Sequence, residues 1–445
     1  MNAKISPPAS DLKYALIGAG PMGLAMAKTL LERGIPFQGF ECHSDVGGLW
    51  DIDGPKSTMY ETAHLISSKK MTEFTDFPMR EDIAEYPSHA DLKSYFYEFA
   101  EKYDIRAHYH FETEVISAKP LGADGEGWKV AWRGKDGKKK SDTFAGVLIA
   151  NGTLTEPNLP KFKGEFTGEF IHSSQYRYAT QFTDKRVLII GAGNSGCDIA
   201  VDVIHHGKKC DISMRRGYYF VPKYVFGKPA DTMGGAINLP MWLKRRIDGL
   251  ILKWFVGDPQ KYGFPKPDYA MYESHPVVNS LILFHAGHGD ITVQPDIDHF
   301  DGKTVHFKDG TTQDYDMVLM ATGYKLHYPF IKKELLNWQG DAPHLYLNCM
   351  HPQRDDVFVL GMVEASGLGW QGRYEQAEMV AAYLNGVHSN TAAAAELHRE
   401  KSAGYERVTG GMNYIKLPRM AYYVDKATYR KAVTDKTRAL KQGAA

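Results

Sequence analysis

The sequence predicts an α/β protein organised around two parallel sheets, and three observations support that fold class. Short strand-like apolar runs alternate with helix-like stretches along the chain of 445 residues. The order strand, glycine-rich turn, helix, strand occurs at residues 14–40 and again at residues 187–214, and this order defines a βαβ unit. Glycine contributes 43 of the 445 residues, a larger share than the roughly 7% found in an average protein. Tight turns and close backbone approaches are therefore expected.

The first βαβ unit begins with Tyr14–Ile17, an apolar run typical of a buried strand. Met22–Arg33 has helical spacing and ends before Gly34, which is a common residue after the last turn of a helix. Phe37–Phe40 is the next predicted strand. The second unit repeats the order, with a strand, a helix and a strand at residues 187–190, 195–206 and 211–214.

The remaining elements are predicted from their patterns of apolar residues. Ser88 caps a helix that runs to about Tyr103, because Asp91 stands at the capping-box position. The segment from Tyr374 to Leu440 is predicted to be mostly helical. Further strands are predicted at Phe111–Ser117, Trp128–Trp132, Ile291–Val293, Thr304–Phe307 and Met317–Met320.

The stretch from residue 218 to residue 290 is irregular and rich in Pro, Gly and aromatic residues. It contains one amphipathic segment, Pro240–Val256, in which basic residues stand beside Trp242 and Trp254. Two interpretations of this segment are open: a helix that lies on a membrane surface, and a helical lid that packs over a cleft. The presence of only one such segment favours the lid.

The first glycine-rich turn predicts a dinucleotide site. Its first glycine permits the tight turn, the second lets a pyrophosphate approach the backbone, and the third lets the helix pack on the strand. The pyrophosphate would sit on the helix N-terminus. Glu41 ends the following strand and would accept hydrogen bonds from ribose hydroxyls. The predicted contacts of the turn are Gly18, Gly20, Pro21, Met22 and Gly23.

The second turn repeats the glycine pattern but carries basic residues where the first carries Glu41. Arg215 occupies the equivalent strand end, and Arg216 follows it. A carboxylate would repel a 2′-phosphate, whereas a guanidinium forks onto one. The first site is therefore predicted to bind FAD and the second NADPH, giving two Rossmann-like domains. The predicted contacts of the second turn are Gly191, Gly193, Asn194, Ser195 and Gly196.

A third motif, immediately before the second turn, carries a family resemblance. The pattern FxGxxxHxxxY followed by Lys or Arg is matched by Phe166, Gly168, His172, Tyr176 and Arg177. With the two glycine turns, these residues make the sequence similar to the flavin-containing monooxygenases, which are class B flavoprotein monooxygenases.

The resemblance implies the domain organisation. The NADP-binding domain, at residues 179–315 with the irregular insertion at about 218–290, would be inserted into the FAD-binding domain, at residues 1–178 and 316–445. The resemblance also implies further FAD contacts. It implies that His172 and Tyr176 position the chain and couple the two domains, and that they do not act as acid–base catalysts. These further contacts are Leu49, Trp50, Ser67 and Val115.

The resemblance also implies an activity. NADPH would reduce FAD, and the reduced flavin would react with O₂ to give a C4a-(hydro)peroxyflavin that oxygenates an amine nitrogen or a sulfide sulfur. The related Baeyer–Villiger monooxygenases have Trp in place of Tyr176 and Pro or Asp in place of Arg177, so oxidation of ketones is the less favoured alternative. One departure from the family is Ile66, which stands where most members have an Asn near the flavin.

Two other function classes are open. A flavin disulfide reductase or NAD(P)H oxidase would share both nucleotide folds, but a reductase needs a cysteine against the flavin ring. Cys42 follows Glu41 at the ribose end, and Cys197 lies on the second nucleotide helix, so neither has that position. The third class, a flavin-binding regulator without activity, is disfavoured because both nucleotide sites are retained.

The charge composition of the chain limits the classes of partner that we expect. Lys plus Arg and Asp plus Glu both total 53, and this balance argues against nucleic acid as a partner. No apolar run approaches the roughly 18 residues of a membrane-spanning helix, and the polar segment Met1–Lys13 is not expected to act as a secretory signal. No metal-ligand spacing is present. A cytoplasmic enzyme is expected, and the resemblance implies a homodimer.

Overall fold

The computed structural model describes residues 12–122, 126–233 and 240–443. Most of the N-terminal segment that we interpret as lacking a secretory signal lies outside these residues. The α-helices in the described ranges are Pro21–Glu32, Lys69–Thr72, His89–Lys102, Asn194–His206, Met241–Val256, Leu281–His288, Gly369–His388, Ala392–Ser402 and Lys426–Gln442.

The first large sheet is parallel and has five strands. Tyr14–Ile17 lies at its centre, fully paired in register with strands on both sides. All four of its residues are buried, which explains the continuous apolar run. In spatial order the strands are Val357–Val359, Gly146–Ile149, Tyr14–Ile17, Phe37–Phe40 and Tyr109–His110.

The second large sheet has the same plan. Its central strand, Arg186–Ile190, pairs in parallel with Lys209–Ser213 on one side and Met317–Met320 on the other. In spatial order the strands are Glu169–His172, Met317–Met320, Arg186–Ile190, Lys209–Ser213 and Ile291–Gln294. The two predicted βαβ units are thus confirmed as the centres of two parallel sheets.

The strand membership of the sheets bears on the domain limits. Strands of the first sheet lie in sequence both before and after those of the second sheet, as an inserted domain requires. The second sheet, however, includes Glu169–His172 and Met317–Met320, which lie outside the predicted range 179–315. We therefore propose wider limits for the inserted domain, about 163 to 321, because its edge strand is formed by the residues of the third motif.

Smaller sheets accompany the two large ones. An antiparallel sheet beside the first contains Glu114–Pro120, and a mixed sheet beside the second contains Lys163–Phe166. The other strands of these two sheets are Trp128–Arg133, Lys139–Phe144, Ile297–Gly302, Thr304–Phe307 and Thr312–Asp314. The two-stranded sheets pair Glu156–Pro157 with Tyr324–Lys325, Tyr224–Val225 with Lys228–Pro229, and Trp338–Gln339 with Ala342–Pro343.

The helix predicted to follow Ser88 is present. Ser88 and Asp91 form the predicted capping box at the start of His89–Lys102, whose Leu92, Tyr95 and Phe96 are buried. None of the helices in the described ranges is long and apolar enough to cross a membrane.

Candidate functional site

The first glycine turn follows Tyr14–Ile17, and its glycines have different surroundings. A Cβ on Gly18 would come within 2.5 Å of the Ala150 carbonyl oxygen, and a Cβ on Gly23 within 1.9 Å of the Gly18 carbonyl oxygen. These two glycines are therefore required by packing. A Cβ on Gly20 would find its nearest atom 3.6 Å away, on Gly48. The open space lies at Gly20, the N-cap of Pro21–Glu32, where a pyrophosphate would bind.

Glu41 stands beside this turn at the end of the second strand. Its Oε2 accepts a hydrogen bond of 2.6 Å from the Ala19 N–H, and its Oε1 accepts one of 2.9 Å from the His43 N–H. These bonds fix the buried carboxylate next to the glycine turn. Because a carboxylate has about four acceptor positions, Glu41 keeps capacity to accept from ribose hydroxyls.

The second glycine turn reproduces the first. A Cβ on Gly191 would come within 2.6 Å of the Ala321 carbonyl oxygen, and a Cβ on Gly196 within 2.0 Å of the Gly191 carbonyl oxygen. A Cβ on Gly193 would have no described atom within 4 Å. Gly193 is the N-cap of the helix Asn194–His206. Both turns thus leave the middle glycine open above a helix N-terminus, and this arrangement fits two dinucleotides.

The two arginines that follow the strand Lys209–Ser213 have different environments. Arg216 is bound to Asp268 through a 2.8 Å ion pair, and its guanidinium lies over the ring of Tyr269. Arg215 is exposed, and no hydrogen bond or ion pair joins its side chain to any residue that the structure describes. Arg215 is therefore the one of the two without a described polar partner, and its predicted role towards a 2′-phosphate stays a prediction.

Asn194 binds the insertion rather than pointing into open space. Its side-chain amide donates to the Pro276 carbonyl at 3.2 Å, and its Oδ1 accepts from the Val278 N–H at 2.7 Å. One helical turn later, Asp198 accepts from Asn279 Nδ2 at 2.6 Å. These bonds hold residues 276–279 against the second nucleotide helix. Ser195, the next predicted contact, is exposed at the helix start.

The third motif begins in the small mixed sheet and ends on the edge of the second large sheet. Phe166 packs against Phe300, with ring centroids 5.6 Å apart. A Cβ on Gly168 would come within 2.6 Å of the Phe166 ring and 2.7 Å of the Asp316 carbonyl oxygen. Both residues therefore fix the path of the chain between the two sheets.

His172 has both ring nitrogens engaged. Its Nδ1 accepts from the Ser174 N–H at 3.1 Å, which assigns the proton to Nε2, the donor to the Gly323 carbonyl at 3.1 Å. Burial lowers the pKa of His172, although the bond to Gly323 opposes this effect. The neutral ring thus ties the third motif to the loop after Met317–Met320. This arrangement suits a positioning residue better than an acid or a base.

Tyr176 connects the third motif to the nucleotide helix. Its hydroxyl donates to Asp202 Oδ2 at 2.8 Å, and Thr62 Oγ1 donates to the same oxygen at 2.5 Å. Burial raises the pKa of Asp202, although these two bonds oppose the effect. Sequence reasoning missed both Asp202 and Asp198. The available signal was two carboxylates four residues apart within the otherwise apolar stretch 197–204 of the helix.

Arg177 extends this connection towards the first nucleotide site. Its guanidinium donates to the carbonyl of Ser57 at 2.8 Å and to that of Ser174 at 2.7 Å. The hydroxyl of Ser57 in turn donates to the Leu49 carbonyl at 2.6 Å. Hydrogen bonds therefore lead from a predicted flavin contact to the second nucleotide domain.

The other predicted FAD contacts differ in exposure. Leu49 and Trp50 belong to the half-buried 3-10 turn Gly48–Trp50, and Trp50 packs edge-on against Trp370. Ser67 Oγ is hydrogen-bonded to Thr72 Oγ1 at 2.6 Å. Val115 is buried. Ile66 is half-buried, and the roles of all these residues towards FAD stay predictions.

The two cysteines nearest the nucleotide sites have unreactive thiols. Burial raises the pKa of Cys42 to about 12, and Glu41 adds to the effect. Burial also raises the pKa of Cys197 well above its usual value. A thiol is nucleophilic as its thiolate, so these environments do not support a disulfide reductase.

Comparisons with known proteins agree with this geometry. A family model described as flavin-binding monooxygenase-like matches residues 11–420. Dimethylaniline monooxygenase 2 (N-oxide-forming) of Oryctolagus cuniculus is 31% identical over 377 residues, which cover 80% of this chain and 70% of that protein.

Solved structures show the same fold. S-allyl-L-cysteine S-oxygenase from Allium sativum is 19% identical with a TM-score of 0.67, over 97% of this chain and 91% of that one. Cyclohexanone monooxygenase in an open form is 18% identical with a TM-score of 0.74, over 97% of this chain and 98% of that one. The α/β fold with two Rossmann-like regions is thereby confirmed.

Proposed function

This chain belongs to the flavin-binding monooxygenase-like family, and from that premise we propose that it oxygenates the nitrogen or sulfur atom of small amines and sulfides. As a family member it is an NADPH-dependent monooxygenase with FAD as its flavin. The proposal concerns the substrate class, because the similar proteins include an N-oxide-forming enzyme, an S-oxygenase and cyclohexanone monooxygenase.

The pair Tyr176 and Arg177 is the observation that carries the proposal. Baeyer–Villiger relatives have Trp at the first position and Pro or Asp at the second. Here the phenol of Tyr176 holds Asp202, and the guanidinium of Arg177 holds the carbonyls of Ser57 and Ser174. Neither Pro nor Asp could donate these bonds. These bonds, which the Baeyer–Villiger pattern could not make, support the oxygenation of amines and sulfides.

The protein's own contribution is binding, orientation and exclusion of water. When bound, NADPH would supply the hydride and FAD would supply the activation of O₂. We propose that the backbone at Gly20 and Gly193 faces the two pyrophosphates and that Glu41 accepts from the FAD ribose. Arg215 would bind the 2′-phosphate of NADPH. His172, Tyr176 and Arg177 would keep the two sites in register.

The experiment is a comparison of products. The purified FAD-loaded protein is incubated with NADPH, O₂ and one of three probes: a tertiary aromatic amine, an aryl alkyl sulfide or cyclohexanone. We expect an N-oxide and a sulfoxide, each with faster NADPH consumption. Formation of the lactone from cyclohexanone, with neither N-oxide nor sulfoxide, would contradict the proposal and favour ketone oxidation. Cytoplasmic location and a homodimeric state stay predictions.

A further inference from the structure

The helix Met241–Val256 turns its apolar side towards water. None of its 16 residues is buried. Ile247, Leu250 and Trp254 recur at spacings of three and four residues, so they share one side of the helix. Leu250 is 67% exposed and Trp254 is 92% exposed. A surface helix normally buries such a stripe, so this helix has the reverse orientation.

Polar groups beside and opposite the apolar stripe fasten the helix to the protein. Lys244 donates to the hydroxyl of Tyr272 at 2.9 Å, and it also pairs with Asp248 of the same helix. Arg245 donates to Glu273 at 2.9 Å and to the backbone carbonyl of Met271. The exposure of the apolar side is therefore held by specific bonds. This geometry does not support the lid interpretation, because a lid would bury its apolar side.

A neighbouring hairpin adds an aromatic residue to the same face. The strands Tyr224–Val225 and Lys228–Pro229 pair around a turn whose central residues have φ values of 49° at Phe226 and 73° at Gly227. A turn with two positive φ values favours Asn or Asp at the first position, and a bulky residue is strained there. Phe226 is nevertheless 79% exposed and lies 5.0 Å, centroid to centroid, from Phe255.

The charges around this face identify its partner. The helix carries four basic residues and one acidic residue. Lys244 and Arg245 have the partners given above, whereas Arg246 and Lys253 are exposed on one flank of the apolar stripe and form no hydrogen bond or ion pair with described residues. Exposed apolar and aromatic residues bordered by basic ones are typical of helices that lie in a lipid interface.

We propose that the docking face, defined as Phe226, Ile247, Leu250, Ile251, Trp254 and Phe255 with Arg246 and Lys253 at its edge, binds the surface of an anionic lipid bilayer. The apolar residues would enter the interface, and the basic edge would meet the lipid phosphates. A second copy of the chain fits less well. In an antiparallel pair of these helices, Arg246 would stand opposite Lys253 of the copy.

The experiment is co-sedimentation with vesicles. The FAD-loaded protein is mixed with vesicles of phosphatidylcholine alone or of equal parts phosphatidylcholine and phosphatidylglycerol. We expect binding to the anionic vesicles, weakened by high salt. Each basic residue near such a surface contributes about fivefold in affinity. The double variant Arg246→Gln, Lys253→Gln should therefore lose roughly 25-fold, and Leu250→Ser, Trp254→Ser at least roughly tenfold.

A control and a second measurement make the result decisive. Leu159 is 54% exposed elsewhere on the surface, and Leu159→Ser should bind vesicles as the wild type does. NADPH oxidation without vesicles should be the same in all variants, which verifies that they fold. Equal binding of the wild type to both vesicle types, or no binding, would overturn the proposal. Conversion of a dimer to a monomer by Leu250→Ser, Trp254→Ser in sedimentation equilibrium would assign the face to self-association instead.

Discussion

The hydroxyl of Tyr176 donates a 2.8 Å hydrogen bond to Asp202 Oδ2, joining the third motif to the second nucleotide helix. The same oxygen accepts from Thr62, which belongs to the first domain. A single buried carboxylate therefore receives one bond from each side of the domain boundary. We expect this contact to couple the two nucleotide sites, so its removal should affect their cooperation more than either site alone.

The first prediction concerns this contact. Tyr176→Phe removes the hydroxyl and leaves Asp202 with one donor fewer, so the free energy of unfolding should fall by roughly 1–3 kcal/mol. The amount of hydrogen peroxide formed per NADPH consumed should rise, while the FAD content should stay at one per chain. Thr62→Val removes the other donor to Asp202, so we expect it to change the stability and the peroxide yield in the same direction. Unchanged stability and peroxide yield in both variants would show that the contact is unimportant.

The second prediction separates the two nucleotide sites. Gly20 and Gly193 both have φ of −73°, which any residue adopts, and both have open space beside them. Gly193→Val should fold normally, keep its FAD and raise the KM for NADPH by roughly tenfold or more, because the side chain fills the pyrophosphate site. Gly20→Val should instead lose FAD, measured by flavin absorbance. Loss of FAD in Gly193→Val would contradict the assignment.

The third prediction distinguishes the two arginines. Arg215→Gln should raise the KM for NADPH by roughly 10- to 150-fold, the equivalent of one charge-assisted contact, and should leave the KM for NADH unchanged. Arg216→Gln should have a smaller effect, because Arg216 is bound to Asp268. The test is the ratio of the KM for NADPH to the KM for NADH, measured in steady-state assays of each variant. A larger loss in Arg216→Gln would reverse the assignment.

The fourth prediction is a pH dependence. Burial lowers the pKa of His172, so the unfolded chain takes up a proton at a higher pH than the folded chain. The stability that His172 provides is therefore fully present above about 6.5 and is lost as the pH falls below it. The free energy of unfolding in urea is measured about one pH unit above and about one unit below 6.5. Between the two pH values it should fall less for His172→Gln than for the wild type. An equal loss in both proteins would count against a neutral His172.

Much of the fold could be predicted because local patterns determine it. The strands Thr304–Phe307 and Met317–Met320 have the predicted limits, and the helix after Ser88 begins at the predicted capping box. The strand Val357–Val359 was missed, since three apolar residues give too short a pattern. The pairing of Glu169–His172 with Met317–Met320, on which we base the wider limits proposed for the inserted domain, could not be predicted because it joins residues that are distant in sequence.

The nucleotide turns could be predicted in the same way, because their function depends on glycine spacing within a few residues. The contacts between domains could not. Asp198 and Asp202 gain their roles from Asn279, Tyr176 and Thr62, which are distant in sequence. Likewise, Arg215 and Arg216 are equivalent in the sequence, and only the position of Asp268 shows which of them is already bound.

The most direct test of the central claim is the fate of the oxygen atoms. The FAD-loaded protein is supplied with NADPH, an aryl alkyl sulfide and isotopically labelled O₂, and the product is analysed by mass spectrometry. We predict a sulfoxide that contains one labelled oxygen atom, with one NADPH consumed for each product molecule and the second oxygen atom released as water. Complete conversion of O₂ to hydrogen peroxide, without label in any product, would contradict monooxygenation and identify an oxidase.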